Sequence, residues 1–282
     1  MHNSKKTIST ARGVALVRAI EMTRPASQRV ASDPYAHRFC NPLSVQGMRL
    51  VNALGISRLI GVEPMMNFAI VRERAIEALM QRELADGLGQ IVILGAGYDT
   101  RAYRLGTDVP VFEVDHPLTQ ANKREALKGV VDPLPQNVRF VGVDFDHDDL
   151  GERLSAEGFD AHKRTLFVWQ GVTMYLTAAG VDHTLAFVAN RAAAGSVIVF
   201  DYYDNREVSQ GGGATIRFFT ALMGEKTTFG IDAGDIEGFL TRRGFVDVQD
   251  DGPEAMARPY FTGPNAGRPM APGVHIATAR VP

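Results

Sequence analysis

Cysteine is almost absent. The single thiol, Cys40 in 282 residues, allows neither an internal disulfide nor a thiolate metal cluster, and ten methionines without a cysteine pair suit a reducing compartment, by default the cytoplasm. Net charge is nearly absent too. Thirty Lys and Arg against 32 Asp and Glu leave −2, without the overall field that draws nucleic acid or an anionic membrane, so neither is an expected partner. Long apolar runs are missing: the short one at 13–17 is cut by Arg18 behind a polar start, which predicts neither a signal peptide nor a membrane span. Internal repeats and low-complexity tracts are also lacking.

What is present is an ordinary globular composition, 45% hydrophobic, in a chain long enough to bury a sizeable core. Apolar periodicity predicts helices over 8–24, 34–60 and 67–84, which together form an N-terminal helical cap over residues 1–88. Strands are then predicted at 91–94, 110–115, 138–143, 165–170 and 196–201, the later ones separated by helices at 117–129, 148–157 and 178–194. Strand and helix in alternation mean a mainly parallel sheet covered on both faces. A lid-like insertion is expected around 205–230, opened by Gly211–Gly213. A helix carrying Ile236, Phe239 and Leu240 follows, then strands at 245–250 and 274–281 joined by a loop, which predicts a terminal antiparallel hairpin.

The first strand, Ile91 to Leu94, runs into Gly95-Ala96-Gly97, a turn where bare backbone can meet a ligand at the carboxyl end of the sheet. A dinucleotide would ask for a third glycine, but Thr100 stands there, and Asp99 is the wrong sign beside a pyrophosphate. A ligand without phosphates fits better, and S-adenosylmethionine is one. Asp115 ends the second strand, 20 residues past Gly95, at the spacing from which an acid reaches ribose hydroxyls. His116 follows it beside the cofactor, and Asp144 with Phe145, at the end of the third strand, is placed to meet adenine.

At this point a resemblance becomes specific. Arg18-Ala-Ile-Glu21 with Asp33-Pro-Tyr-Ala36, Val71-Arg-Glu-Arg74, the run Leu94 to Leu105, Phe112-Glu-Val-Asp-His-Pro117 and Gly171-Val-Thr-Met-Tyr-Leu176 occur in the order found in the leucine carboxyl methyltransferase family. That family also includes bacterial O-methyltransferases of polyketide and other natural-product pathways. The resemblance covers roughly residues 10–205. It implies a class I methyltransferase fold, a Rossmann-like α/β architecture with a seven-stranded sheet and the helical cap. It also implies S-adenosylmethionine as cofactor and S-adenosylhomocysteine as product. The roles it implies are Arg72 for the methionyl carboxylate, Gly95 and Gly97 for the methionyl portion, Asp115 for ribose and Asp144-Phe145 for adenine. Gln170 departs from the family, which usually has glutamate there, against the transferring methyl group.

Glutamine is no base, so the expected acceptor is already ionised at neutral pH: a carboxylate, or an acidic phenol, of a small molecule. A protein C-terminus and a silent cofactor-binding homologue are the alternatives. Tyr175, Tyr202 and Tyr203 follow the fourth and fifth strands on the rim where an acceptor must lie. Tyr202 and Tyr203 are given to the pocket because adjacent residues in extended chain cannot face the same core. Gln170, Tyr175 and Tyr203 are the candidate catalytic side chains. Met65, Met66, Phe218, Phe219 and Met223 are candidate pocket walls, and Arg217 a candidate partner for an acceptor carboxylate. The histidines lack ligand spacing, so no metal is expected. Oligomeric state stays open.

Overall fold

The computed structural model describes residues 2–144, 148–209, 227–232 and 234–282. Phe145, Arg217, Phe218, Phe219, Met223 and the triple glycine lie outside the described residues, as does much of the expected insertion.

Seven strands form one sheet in the order β3-β2-β1-β4-β5-β7-β6, with β1 (Gln90–Leu94) inside it, between β2 (Val111–Asp115) and β4 (Thr165–Trp169). β3 (Val138–Gly142) and β5 (Val197–Tyr203) extend the parallel run, and β7 (Val274–Arg280) pairs antiparallel with both β5 and the edge strand β6 (Val246–Asp251). The predicted fold and its terminal hairpin are therefore present. Every residue of β1, β2, β4 and β5 is buried, because both faces are covered. On one face Ile91, Ile93, Leu166 and Val168 pack with Phe68, Val71, Ile76 and Leu79; on the other, Val92, Leu94, Phe167 and Trp169 pack with Val181, Leu185 and Val188.

Between the strands run α6 (Pro117–Leu127), α7 (Leu150–Ala156) and α8 (Ala178–Arg191). Their first turns are capped by the side chains of His116, Asp149 and Thr177, each accepting a backbone N–H.

The cap contains α1 (His2–Glu21) and α4 (Glu63–Ala85). The helical region expected over roughly 34–60 consists of a short 3-10 turn at Ala36–Phe39, α2 (Pro42–Ala53) and α3 (Ile56–Leu59). Asn41 restarts the chain as an N-cap, its side chain accepting from Leu43 N at 2.9 Å with Pro42 at the first helical position. Gly55, at φ 71°, ends α2 in the left-handed conformation. α4 and the sheet share one apolar cluster. Among the described residues no helix is long and apolar enough to cross a membrane.

Candidate active site

The turn after β1 requires its glycines. Gly95 and Gly97 have φ of 66° and 44°, and a Cβ on Gly95 would lie 2.5 Å from Val172 Cγ2. Ala96 N donates to Val114 O at 2.9 Å, and Asp99 N closes the turn onto Ala96 O at 2.8 Å. Asp115 holds the turn from β2: its Oδ2 accepts from Gly97 N at 2.6 Å and its Oδ1 from His116 N at 2.7 Å. Burial pushes this carboxyl up, while the two amides pull against that shift. His116 accepts from Leu118 N through Nδ1 at 3.2 Å, so its ring caps α6. Asp144 follows β3, with its amide donating to Asp148 Oδ2 at 2.9 Å.

Arg72, buried on α4, reaches the end of β4. Its Nη1 donates to Asp201 Oδ2, its guanidinium lies 5.1 Å from the Phe68 ring centroid, and a Cβ on Gly171 would stand 3.5 Å from it. Asp201 also accepts from Gly171 N at 2.6 Å, tying the ends of β4 and β5 together. Arg72 Nε is buried and has no hydrogen-bond partner among the described residues, the state of a donor awaiting an anion. This orphan N–H, the glycine turn and Asp115 are donors and acceptors of the kind an amino-acid carboxylate, its backbone-lined tail and a ribose would use. The residues present therefore fit S-adenosylmethionine. α1 crosses the same turn, since a Cβ on Gly97 would lie 3.4 Å from Ala11 Cβ.

Gln170 is fixed in a buried ionic network. Its Oε1 accepts from Arg101 and its Nε2 donates to Glu73 Oε2 at 3.2 Å. Glu73 is the hub: Arg104 meets it at 2.8 Å, Arg101 at 3.3 Å and Arg18 at 3.8 Å. Burial works against its charge, yet Arg101, Arg18 and Arg104 outweigh burial and hold the carboxyl well below its usual range. Arg101, on the one-turn helix α5 (Arg101–Arg104), also pairs with Asp99 at 2.8 Å, and Arg18 with Asp33 at 2.9 Å. Arg104 further pairs with Glu77. The family-like motifs thus converge physically, since Arg18, paired with Asp33, meets Glu73 and the residues after the glycine turn. Arg18 also donates to Tyr98 O at 2.5 Å.

The tyrosines separate. Tyr203 packs on the α4 face with Met65, Phe68 and Met174, and burial, then Asp201, push its phenol well above the usual range against the pull of Arg72. Tyr175 packs against the same cluster from a 3-10 turn at Thr173–Tyr175. Tyr202 faces the opposite side of the sheet, where its hydroxyl donates to Asp250 Oδ1 at 3.0 Å and its ring stacks on His275 at 5.0 Å. Tyr202 and Tyr203 do face opposite sides, but both faces of β5 are buried, so alternation alone does not single out a pocket. Met66 points away from Met65, into a cavity of about 60 Å³ inside the cap, also lined by Glu21, Arg24, Asn67 and Arg268. Among the described residues no group of three or more His, Cys, Asp or Glu side chains could hold a metal.

Two participants escaped the sequence reading. Glu73 lay between two arginines on a helix, a pattern shared by solvated faces. Asp201 ended a predicted strand, and that acid at a strand end was the available signal.

Comparison with known proteins agrees with this geometry. A family model described as leucine carboxyl methyltransferase matches residues 11–189. A protein of Mycolicibacterium smegmatis, provisionally named an S-adenosyl-L-methionine-dependent methyltransferase, is 31% identical over 77% of this chain and 74% of its own length. One of Mycobacteroides abscessus, with the same provisional name, is 34% identical over 67% of this chain and 64% of its own. Among solved structures, the magnesium protoporphyrin IX methyltransferase of Synechocystis with bound S-adenosylhomocysteine superposes with a TM-score of 0.50 at 11% identity. That superposition covers 82% of this chain and 96% of the other, a likeness of fold alone.

Proposed function

We propose that this protein, which belongs to the leucine carboxyl methyltransferase family and is an S-adenosylmethionine-dependent methyltransferase, methylates an oxygen of a small acidic acceptor, with a carboxylate preferred over an acidic phenol. The observation that carries this reading is the state of Gln170, a neutral amide pinned between Arg101 and Glu73. The cofactor supplies an electrophilic methyl on a sulfonium. Arg72 then holds the methionyl carboxylate through its free Nε, the Gly95–Gly97 backbone lies along the methionyl portion, and Asp115 accepts from the ribose. Asp144, with Phe145 beyond the described residues, takes the adenine.

Attack by the acceptor needs alignment and exclusion of water more than proton transfer when the oxygen is already ionised. Gln170 cannot take a proton at any ordinary pH, and the Tyr203 phenol is pushed too high to be ionised at neutrality. A carboxylate, with a pKa of about 4, needs neither. Tyr203 and Met65 act instead as the apolar wall behind the cofactor, and Tyr175 as the rim. A second reading, methylation of a protein's C-terminal carboxylate, shares this chemistry and is favoured by the description of the matching family.

Methyl-labelled S-adenosylmethionine offered with aliphatic and aromatic acids, phenols and peptides ending in leucine separates these cases. The expected product is a base-labile methyl ester of a small acid, formed at a rate flat between about pH 6 and 8. Label found only on phenols, at a rate rising with pH, would defeat the carboxylate preference. Gln170→Glu should slow methylation of an acid by repulsion; a marked gain in rate would argue for an acceptor that needs a base.

A further inference from the structure

The outer face of α2 and α3 is apolar and, among the described residues, uncovered. Leu43, Leu50 and Leu54 fall seven and four positions apart, on one side of α2, and are 75%, 60% and 63% exposed. Gly47 continues the stripe, and a Cβ there would meet nothing within 4 Å. α3 follows at once with Leu59, 86% exposed, flanked by exposed Ile56 and Ile60. The inward side of α2 is different: Met48 packs against the cluster of α1 and α4, and Asn52 lines the cap cavity. Six large aliphatic side chains from two consecutive helices are far more than the single exposed leucines of an ordinary surface.

The charge carried by this stretch of chain has one sign. Between Asp33 and Glu63 the sequence holds no Asp or Glu, while Arg38, Arg49 and Arg58 are all exposed. A molecule with a net charge of −2 thus has one apolar stretch, α2 and α3, whose own charged side chains are all arginines. A second copy docked on this face would bring arginines against arginines with no carboxylate from either α2 or α3. Anionic headgroups over an acyl layer supply what the face lacks, counter-charges for the guanidiniums and an apolar phase for the leucines.

We infer that α2 and α3 form a peripheral docking surface for an anionic lipid bilayer, on which the protein lies without crossing it. The inference is independent of the acceptor chemistry and concerns a surface, not the cofactor site.

The test is flotation of the full-length protein with vesicles of phosphatidylcholine alone or mixed with phosphatidylglycerol, alongside light scattering without lipid. Binding is expected on the anionic vesicles and roughly tenfold weaker on the neutral ones. It should be lost by roughly tenfold or more in Leu50→Ser/Leu54→Ser/Leu59→Ser and weakened in Arg49→Gln/Arg58→Gln, all at surface positions, with melting temperatures unchanged. Absence of flotation on either vesicle overturns the inference, as does binding that survives both sets of substitutions. A dimer in solution that the leucine substitutions dissolve, without vesicle binding, assigns the face to a second copy instead.

Discussion

Glu73 is the side chain on which three guanidiniums converge, and its removal exposes how much the network depends on it. Glu73→Gln would leave Arg18, Arg101 and Arg104 buried with only Asp33, Asp99 and Glu77 to answer them. Breaking one partner out of a buried ionic cluster costs about 3–5 kcal/mol, so a loss of that order in urea unfolding is expected. Its pH dependence has a definite sign. The folded carboxyl lies below its ordinary value of 4.5, so the group stabilises the native state above that value and the contribution fades as pH falls through the folded value. The wild type should lose stability below about pH 4.5 more steeply than Glu73→Gln; parallel curves would show that Glu73 is not held as an anion. Gln170→Glu works in the opposite direction, adding a fifth carboxylate to Asp33, Glu73, Glu77 and Asp99 beside three arginines, between Arg101 and the Glu73 carboxylate at 3.2 Å. The expected cost is about 1–3 kcal/mol, growing as pH rises because the protonated form is the one the site accepts.

Asp115 makes a separate prediction. Its carboxyl is pushed up by burial, so its protonation would be felt at a higher pH than for a solvated aspartate, and binding of S-adenosylhomocysteine should weaken as pH falls through that raised value. Calorimetry on Asp115→Asn, which keeps an acceptor for Gly97 N, should show roughly tenfold weaker binding than wild type and no such pH dependence. Binding at wild-type strength would remove Asp115 from the ribose.

At the scale of the element, the β1 turn separates backbone strain from crowding. Gly95 and Gly106 have nearly the same φ, 66° and 61°, but a Cβ at Gly106 meets nothing within 4 Å, whereas at Gly95 it meets Val172 Cγ2 at 2.5 Å. Gly106→Ala should therefore cost about 1 kcal/mol, the left-handed penalty alone, and Gly95→Ala about 2 kcal/mol more, with loss of cofactor binding. Equal costs in thermal unfolding would mean that Val172 moves aside freely. The turn was legible in the sequence because a short apolar run ending in Gly-Ala-Gly has few other uses, and the strand ends at Asp115 and Asp144 were legible for the same reason. A helical region over 34–60 is legible from apolar spacing, but that spacing does not report the breaks within it, which Asn41-Pro42 and Gly55 set through capping and φ. The four-residue α5 carries too little periodicity to show at all, although it delivers Arg101 and Arg104 to the network. Glu73 and Asp201 were hidden for a different reason: their partners lie 28 and 129 residues away, and no spacing rule reaches that far.

For the whole molecule, the question is whether the helical cap behaves as a unit of its own. Two couplings oppose independence. The apolar cluster that contains Phe68, Val71, Ile76 and Leu79 of α4 also contains Ile91, Ile93, Leu166 and Val168 of the sheet, so neither side has a complete core alone. The buried ion pairs of Glu73 with Arg101 and Arg104, and of Glu77 with Arg104, cross between the two as well. A single cooperative transition is expected, and the chain carries a convenient reporter: its one tryptophan, Trp169, is buried in β4 at the middle of the sheet. Tryptophan fluorescence follows the core, while far-ultraviolet circular dichroism is weighted towards the long helices of the cap. The two urea curves should coincide in midpoint and slope. An early loss of helix signal with Trp169 still native would show instead that the cap melts first, and that the shared cluster and the ion pairs do not bind it to the sheet.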